Sequence, residues 1–244
     1  MFFSYWTNAA RVVETVAPSG PLEAMIADWQ TKYEEFRVFS DTDVIAPLSQ
    51  WSPTLPALFS RIRIPACRSD LARLILLYEY GGLYVDAHIG TAGAERLTHV
   101  MERLSSNDLL LFDRHDQHGW EGDCHIVNHA LGSRKRSSVL GKVISQAVRN
   151  LENHEAAEAA ADGHVPYNIF ALTGPWNISI TLFDRSDKQI RLLREFKDFV
   201  HIEVLDPNNR PWPFNPYQHY HYRKPGQHWS ERQLVERLFE RRSG

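Results

Sequence analysis

Residues 66–88, A-C-R-S-D-L-A-R-L-I-L-L-Y-E-Y-G-G-L-Y-V-D-A-H, constrain this chain more than any other stretch. Leu71, Leu74, Ile75 and Tyr78 fall at i, i+3, i+4 and i+7, one apolar stripe of a helix. Pro65 suits the helix's first turn, where a backbone N–H is dispensable. Gly81-Gly82 suits its exit, because positive φ is cheap only without a Cβ. Leu83, Tyr84 and Val85 then favour an extended strand. Asp86 and His88 follow, two apart, and in a strand they point to the same side. That order predicts a carboxylate and an imidazole where a buried strand emerges, a place that commonly holds a nucleotide and a divalent cation. A hard carboxylate oxygen beside a borderline imidazole suits Mn²⁺ or a similar ion. Asp70 and Arg73, three apart, share a neighbouring face of the helix. Taken alone they read as a surface ion pair worth about 0.2–0.5 kcal/mol.

Strands and helices alternate along the rest of the chain. Strands are predicted at residues 2–6, 36–39, 83–85, 109–112 and 200–205. Helices are predicted at 21–32, through 80, around 95–104, at 138–151 with an Ala-rich continuation over 152–161, and at 230–241. Such alternation predicts an α/β sandwich around a mainly parallel sheet. With 244 residues, 43% of them hydrophobic, the expectation is a single domain with a real core. Residues 207–226, rich in Pro, Asn, His and Tyr, read as a long loop, and a loop of that length usually covers a site.

Charge and composition exclude several classes. A net charge of -3 gives no electrostatic reason to propose nucleic acid. No apolar run reaches membrane-spanning length. The opening M-F-F-S-Y-W lacks the basic region, apolar run and cleavage site of a signal peptide. Cys67 and Cys124 form no C-x-x-C, so neither a disulfide framework nor a zinc site is indicated. These features predict a cytoplasmic protein, with peripheral contact at the inner face of the membrane as the remaining option.

The pattern S-D-x-x-R-x-x-x-L-x-x-x-G-G-x-Y-x-D-x-(D/H), carried by Ser69, Asp70, Arg73, Leu77, Gly81, Gly82, Tyr84, Asp86 and His88, resembles a known family core. It looks like that of the DXD-containing glycosyltransferases of the mannosyl- and galactosyltransferase type (family 32), with large glucosylating toxins as distant relatives. The chain departs from the family at His88, where Asp is usual. Polypeptide N-acetylgalactosaminyltransferases use Asp-x-His, so this variant is compatible with metal binding. Losing one negative charge predicts Mn²⁺ in preference to Mg²⁺.

The resemblance implies a GT-A fold, a UDP- or GDP-sugar donor, a divalent cation and retention of anomeric configuration. By the same resemblance Asp86 and His88 hold the cation, with His221 as third ligand and His219 as its rival. Asp70 and Arg73 face the donor sugar, and Tyr84 lies close to the nucleotide. Trp6, in Y-W-T-N, stacks on the base. Asn128 lines the donor-sugar pocket, and Thr173-Gly174 precede a helix whose start faces the donor. Asp70, Arg73 and Asp86 are the implied catalytic set. The acceptor expected is a glycan or glycolipid in bacterial surface-polysaccharide synthesis. Two other readings follow from the same residues: a toxin-like enzyme modifying protein, and a non-catalytic nucleotide-sugar binder in which His88 marks lost chemistry. Asp113, His115, Asp116 and His118 are ligand types in a hydrophilic turn and read as surface. Arg134-Lys135-Arg136 reads as a solvated turn before a helix.

Overall fold

The computed structural model of the protein describes residues 1–7, 21–91, 94–114, 126–184, 191–205, 214–215, 226 and 228–241. In chain order the elements begin with β1 (Phe2–Tyr5), α1 (Pro21–Lys32), β2 (Arg37–Phe39), α2 (Asp41–Leu48), α3 (Leu55–Ser60), α4 (Pro65–Tyr80), β3 (Gly82–Val85) and β4 (Gly90–Thr91). They continue with α5 (Ala94–Glu102), β5 (Leu109–Arg114), β6 (Ile126–Ser133), α6 (Ser138–Ala161), α7 (Ile169–Leu172) and α8 (Pro175–Leu182). The last are β7 (Phe183–Asp184), β8 (Arg191–Leu192), β9 (Val200–Leu205), β10 (Phe214–Asn215) and α9 (Trp229–Arg232).

Six strands form the central sheet in the order β2-β1-β3-β6-β5-β9. β1 pairs in parallel with β2 and β3, and β5 with β9. β6 alone runs antiparallel to both its neighbours, β3 and β5. The sheet is therefore mainly parallel, as the alternation predicts. Side-chain alternation along the strands divides the core in two. Phe3, Tyr84, Leu109, Leu111 and Leu131 pack on one face with α2, α3, α4, α6 and α8. Leu83, Val85, Leu110, Phe112 and Ala130 pack on the other, against Trp29 of α1 and Leu97 and Val100 of α5.

Helix α4 is more enclosed than its predicted stripe. Cys67, Arg68 and every residue from Asp70 to Leu77 are buried. The double glycine ends it as expected, with φ of 69° at Gly81 and 102° at Gly82. Space matters as much as φ there. A Cβ at Gly82 would sit 2.2 Å from the carbonyl oxygen of Met1, and one at Gly81 would sit 2.7 Å from the Lys135 nitrogen. These glycines let β3 slide in beside the first residue of the chain.

Several elements differ from expectation. The predicted helix over 230–241 stops at Arg232. Beyond it the chain turns into a strap. The Arg63 N–H donates to the Leu238 carbonyl at 2.8 Å, Ile62 bridges Phe239, and the Glu240 N–H donates to the Arg61 carbonyl at 2.9 Å. Buried Leu238 and Phe239 gain more from packing into the core than a further helical turn would supply. Helices α2 and α3 and strand β6 were not predicted. The Ala-rich stretch does extend α6, through to Ala161. Arg134, Lys135 and Arg136 do form an exposed turn before α6, paired with Asp108 and Glu79. Among the described residues no helix is long and apolar enough to cross a membrane.

Candidate active site

β1 and β3 are parallel neighbours, so their carboxyl ends open on the same edge of the sheet. In open α/β sheets the crevice outside those ends is where ligands bind. Trp6 and Thr7 leave β1 there, and Asp86 leaves β3. The Ser4 hydroxyl ties the two strands by donating to the Val85 carbonyl at 2.7 Å.

Asp86 and His88 do not lie on a continuing strand, which corrects the predicted alternation. Strand β3 ends at Val85, and the Ile89 N–H donates to the Asp86 carbonyl at 2.9 Å, closing a turn over 86–89. The Asp86 N–H is itself held by the His129 carbonyl at 2.8 Å. The turn still brings the two side chains together, with Asp86 Oδ2 3.8 Å from His88 Nε2.

Arg73 is the hub of the site. Its Nη2 lies 3.2 Å from Asp70 Oδ1 and 3.3 Å from Asp86 Oδ1, so one guanidinium bridges both carboxylates. Its Nε donates to the Ser69 carbonyl at 3.1 Å, and its Nη1 donates to the Asn128 carbonyl. The guanidinium carbon stands 4.9 Å from the centre of the Tyr84 ring. The predicted surface pair is thus a buried network, with Asp70 and Arg73 each 5% exposed. Tyr84 is fully buried and donates its phenol hydrogen to Asp86 Oδ1 at 2.6 Å. It bears on the site through Asp86, where nucleotide contact was expected.

Asp70 is held from two further places, β6 and the turn between α7 and α8. Asn128 Nδ2 on β6 donates to its Oδ1 at 2.7 Å, and the Thr173 hydroxyl donates to its Oδ2 at 3.3 Å. Gly174, the residue before α8, passes so near that a Cβ would lie 3.1 Å from the same oxygen. Asn128, Thr173 and Gly174, predicted separately, therefore converge on one carboxylate. Burial raises the Asp70 carboxyl to about 6, opposed by Arg73 and abetted by Asp86. At Asp86 burial also acts upward, but Arg73, His88, the Tyr84 hydroxyl and His129 outweigh it, and its carboxyl is held below the ordinary value. Neighbouring Cys67 is no nucleophile, because burial pushes its thiol up to about 12.

The Asp86–His88 pair fits a divalent cation on two counts. Ligand bonds of about 2.1 Å let one ion span atoms up to about 4.2 Å apart, and the observed separation falls inside that reach. Burial, then Arg73, hold His88 below its ordinary value against the pull of Asp86, so the ring is neutral near pH 7 and keeps a lone pair. Asp70 and Asp86 against Arg73 leave the cluster one negative charge. Among the described residues no third His, Cys, Asp or Glu joins them.

Trp6 is partly buried, and its indole Nε1–H is enclosed with no hydrogen-bond partner among the described residues. His221 and His219 lie outside the described residues, as do His115, Asp116 and His118. Beneath Trp6 and Thr7 is a cluster that sequence reasoning missed. Asp41 accepts from the Tyr5 hydroxyl, from the Thr7 hydroxyl at 3.0 Å and from Arg68 Nη1 at 3.2 Å. Only tertiary folding joins these residues, so no spacing reveals them. β10, inside the predicted covering loop, pairs antiparallel with β4 just beyond His88, matching Asn215 to Gly90.

Residues 11–93, about a third of the chain, match the family model described as the glycosyltransferase sugar-binding region containing a DXD motif. The match takes in α4 and the Asp86–His88 turn. No curated protein sequence matches the chain. Among solved structures it is similar to the PaToxG glycosyltransferase, at 12% identity and a TM-score of 0.45, covering 74% of this chain and 67% of that one. It is also similar to the UDP-bound glycosyltransferase domain of the YGT toxin, at 10% identity and a TM-score of 0.29, covering 65% of this chain and 39% of that one.

Proposed function

We propose that the protein is a metal-dependent, retaining glycosyltransferase of GT-A type that moves a sugar from a UDP- or GDP-sugar to a glycan or glycolipid acceptor. One observation carries this reading: within the matched segment, Arg73 bridges Asp70 and Asp86 at the carboxyl edge of the sheet, while Asp86 turns its other oxygen toward His88. The whole chain acts as one domain, with residues 207–244 closing the site. The pairing of β10 with β4 supports that closure. The setting is bacterial surface-polysaccharide synthesis in the cytoplasm, at the inner face of the membrane when the acceptor is lipid-linked.

Asp86 and His88 hold the cation, Mn²⁺ in preference to Mg²⁺, with His221 as third ligand. When bound, the cation neutralises charge on the departing nucleoside diphosphate. Arg73 fixes both carboxylates and tempers their repulsion. Tyr84 holds Asp86 in register by occupying one lone pair of Oδ1. Asp70, already bonded to Arg73, Asn128 and Thr173, has lone-pair capacity left for one donor-sugar hydroxyl. It orients the sugar and does not attack. Thr173 and Gly174 set its position, and Trp6 stacks on the base.

The test is a thermal-shift screen of UDP- and GDP-sugars with and without Mn²⁺, followed by donor hydrolysis. A metal-dependent rise in melting temperature and slow nucleotide release are expected. Tight binding without release would mark a non-catalytic binder. No shift with any donor would overturn the assignment. Protein acceptors labelled in place of glycans would move the acceptor class to protein.

A further inference from the structure

The 86–89 turn is held at both ends, each time by a different element. The Asp86 N–H is taken by the His129 carbonyl of β6 at 2.8 Å. At the other end the Ile89 carbonyl accepts the indole Nε1–H of Trp29, from α1, at 2.6 Å. Ile89 and Trp29 are each 1% exposed. Three residues further along α1, Lys32 Nζ donates to the Thr91 hydroxyl at 2.6 Å and is braced by Asp28 at 2.9 Å. Residues three apart share a helix face, so α1 sets two donors against positions 89 and 91 of the segment leaving the turn.

Packing alone does not account for the indole. Trp29 stacks on Phe36 with ring centres 5.3 Å apart and planes 15° apart, and it meets Tyr33 at 5.5 Å and Phe2 at 6.1 Å. A phenylalanine would supply most of that contact. What only the indole adds is a donor, and the donor goes to the residue next to His88. Lys32 is likewise half out in solvent yet reaches a threonine that is 3% exposed. The separation these contacts govern is tight. One ion spans at most about 4.2 Å between two ligand atoms, and Asp86 Oδ2 and His88 Nε2 stand 3.8 Å apart, so about 0.4 Å is to spare. A four-residue turn fixed only at its Asp86 end opens by that much through small changes in φ and ψ. Fixed at both ends, it has far less freedom.

We propose that Trp29, with Lys32 beside it, is a positioning residue for the cation: α1 clamps the far end of the turn and so keeps Asp86 and His88 close enough to share one ion. Both side chains act through residues 89–91 and not as ligands. This rests on the metal-dependent reading above.

Mn²⁺ binding to the full chain in the presence of UDP or GDP, followed by the electron paramagnetic resonance of free Mn²⁺, tests it. Trp29→Phe keeps the ring packing and loses the donor. It should weaken Mn²⁺ binding about tenfold, with kcat restored to within about threefold of wild type at saturating Mn²⁺. Lys32→Met keeps the aliphatic stem and should weaken Mn²⁺ binding about threefold. Tyr167→Phe is the control, because it also deletes one side-chain bond to a carbonyl, that of Glu236 in the C-terminal strap, and should leave Mn²⁺ affinity unchanged. Hydrogen exchange without metal gives a second readout: the Ile89 amide, bonded to the Asp86 carbonyl, should exchange about tenfold faster in Trp29→Phe. Should Trp29→Phe fold too poorly to measure, Lys32→Met, which alters an exposed side chain, decides the matter. The inference is overturned if both variants bind Mn²⁺ as tightly as wild type, or if Tyr167→Phe weakens binding as much as they do. Wild-type protein that binds no Mn²⁺ with either nucleotide would instead bring down the metal-dependent reading, and this proposal with it.

Discussion

Two buried acidic clusters in this molecule use similar parts to opposite ends. At Glu158 on α6, Oε1 accepts the Leu238 N–H at 2.6 Å and Oε2 accepts the Phe239 N–H at 3.1 Å. His154 approaches one oxygen at 3.3 Å and Arg237 the other at 3.7 Å, and the residue is 0% exposed. At Asp86, likewise, an arginine and a histidine flank the carboxylate, but its side chain is 15% exposed. One of its oxygens is committed to Tyr84 and Arg73 while the other faces His88. Glu158 spends both oxygens on backbone and pins the C-terminal strap. Asp86 leaves one oxygen turned toward His88. A carboxylate, an arginine and a histidine do not by themselves make a site; what decides is whether an oxygen is left open toward the surface.

The contrast breaks most visibly on substitution. Glu158→Ala should cost about 3–5 kcal/mol, because Arg237 and two N–H groups lose a buried partner, while turnover per folded molecule persists. At about 2–4 °C per kcal/mol, a melting-temperature drop of roughly 10 °C is expected in calorimetry. Asp86→Asn should do the reverse, lowering kcat about 10²-fold or more with a small change in melting temperature. Equal effects of the two changes on kcat would erase the distinction.

Smaller effects sharpen it. Gly82→Ala should cost more than about 1 kcal/mol, read as a lower urea midpoint, since an alanine there combines positive φ with a clash against Met1. Tyr84→Phe removes one hydrogen bond to Asp86 and should lower kcat/KM about tenfold without moving KM for the acceptor. The pH dependence comes last. Asp70, near 6 when folded against an ordinary 3.8, binds its proton more readily in the native state. Its contribution to stability is full below about pH 4 and is lost as pH rises through 6. Asp86, lowered, contributes in the opposite sense, with stability present above the ordinary carboxylate range and lost in acid. Asp70→Asn should therefore make stability fall less steeply between pH 4 and 6 in urea titrations.

Much of the fold was legible because its signals are local. The periodicity of α4, the double glycine and the run into β3 each rest on neighbours in sequence, and α1 and β9 fall where predicted. The site was legible as residue types: Asp70, Arg73, Asp86, His88, Asn128, Thr173 and Gly174 were all singled out. Their wiring was not. An i,i+3 Asp–Arg spacing looks alike on a surface helix and on one enclosed by α2, α6 and the sheet. The predicted strand ends at Val85 as observed, but the same-side argument for Asp86 and His88 needs extended backbone, and nothing between Val85 and Ile89 announces the turn that replaces it in the way glycine would. The C-terminal helix was overestimated for a tertiary reason, since the pull of Glu158 on Leu238 and Phe239 crosses about eighty residues. Helix α2 was missed because Pro47 lies inside it.

The most direct measurement of the central claim is a crystal structure with Mn²⁺ and UDP or GDP. The account predicts one manganese ion within about 2.3 Å of both Asp86 Oδ2 and a His88 ring nitrogen, touching diphosphate oxygens. Nucleotide and metal bound elsewhere, or Asp86 still facing only Tyr84 and Arg73 with manganese at saturation, would contradict it.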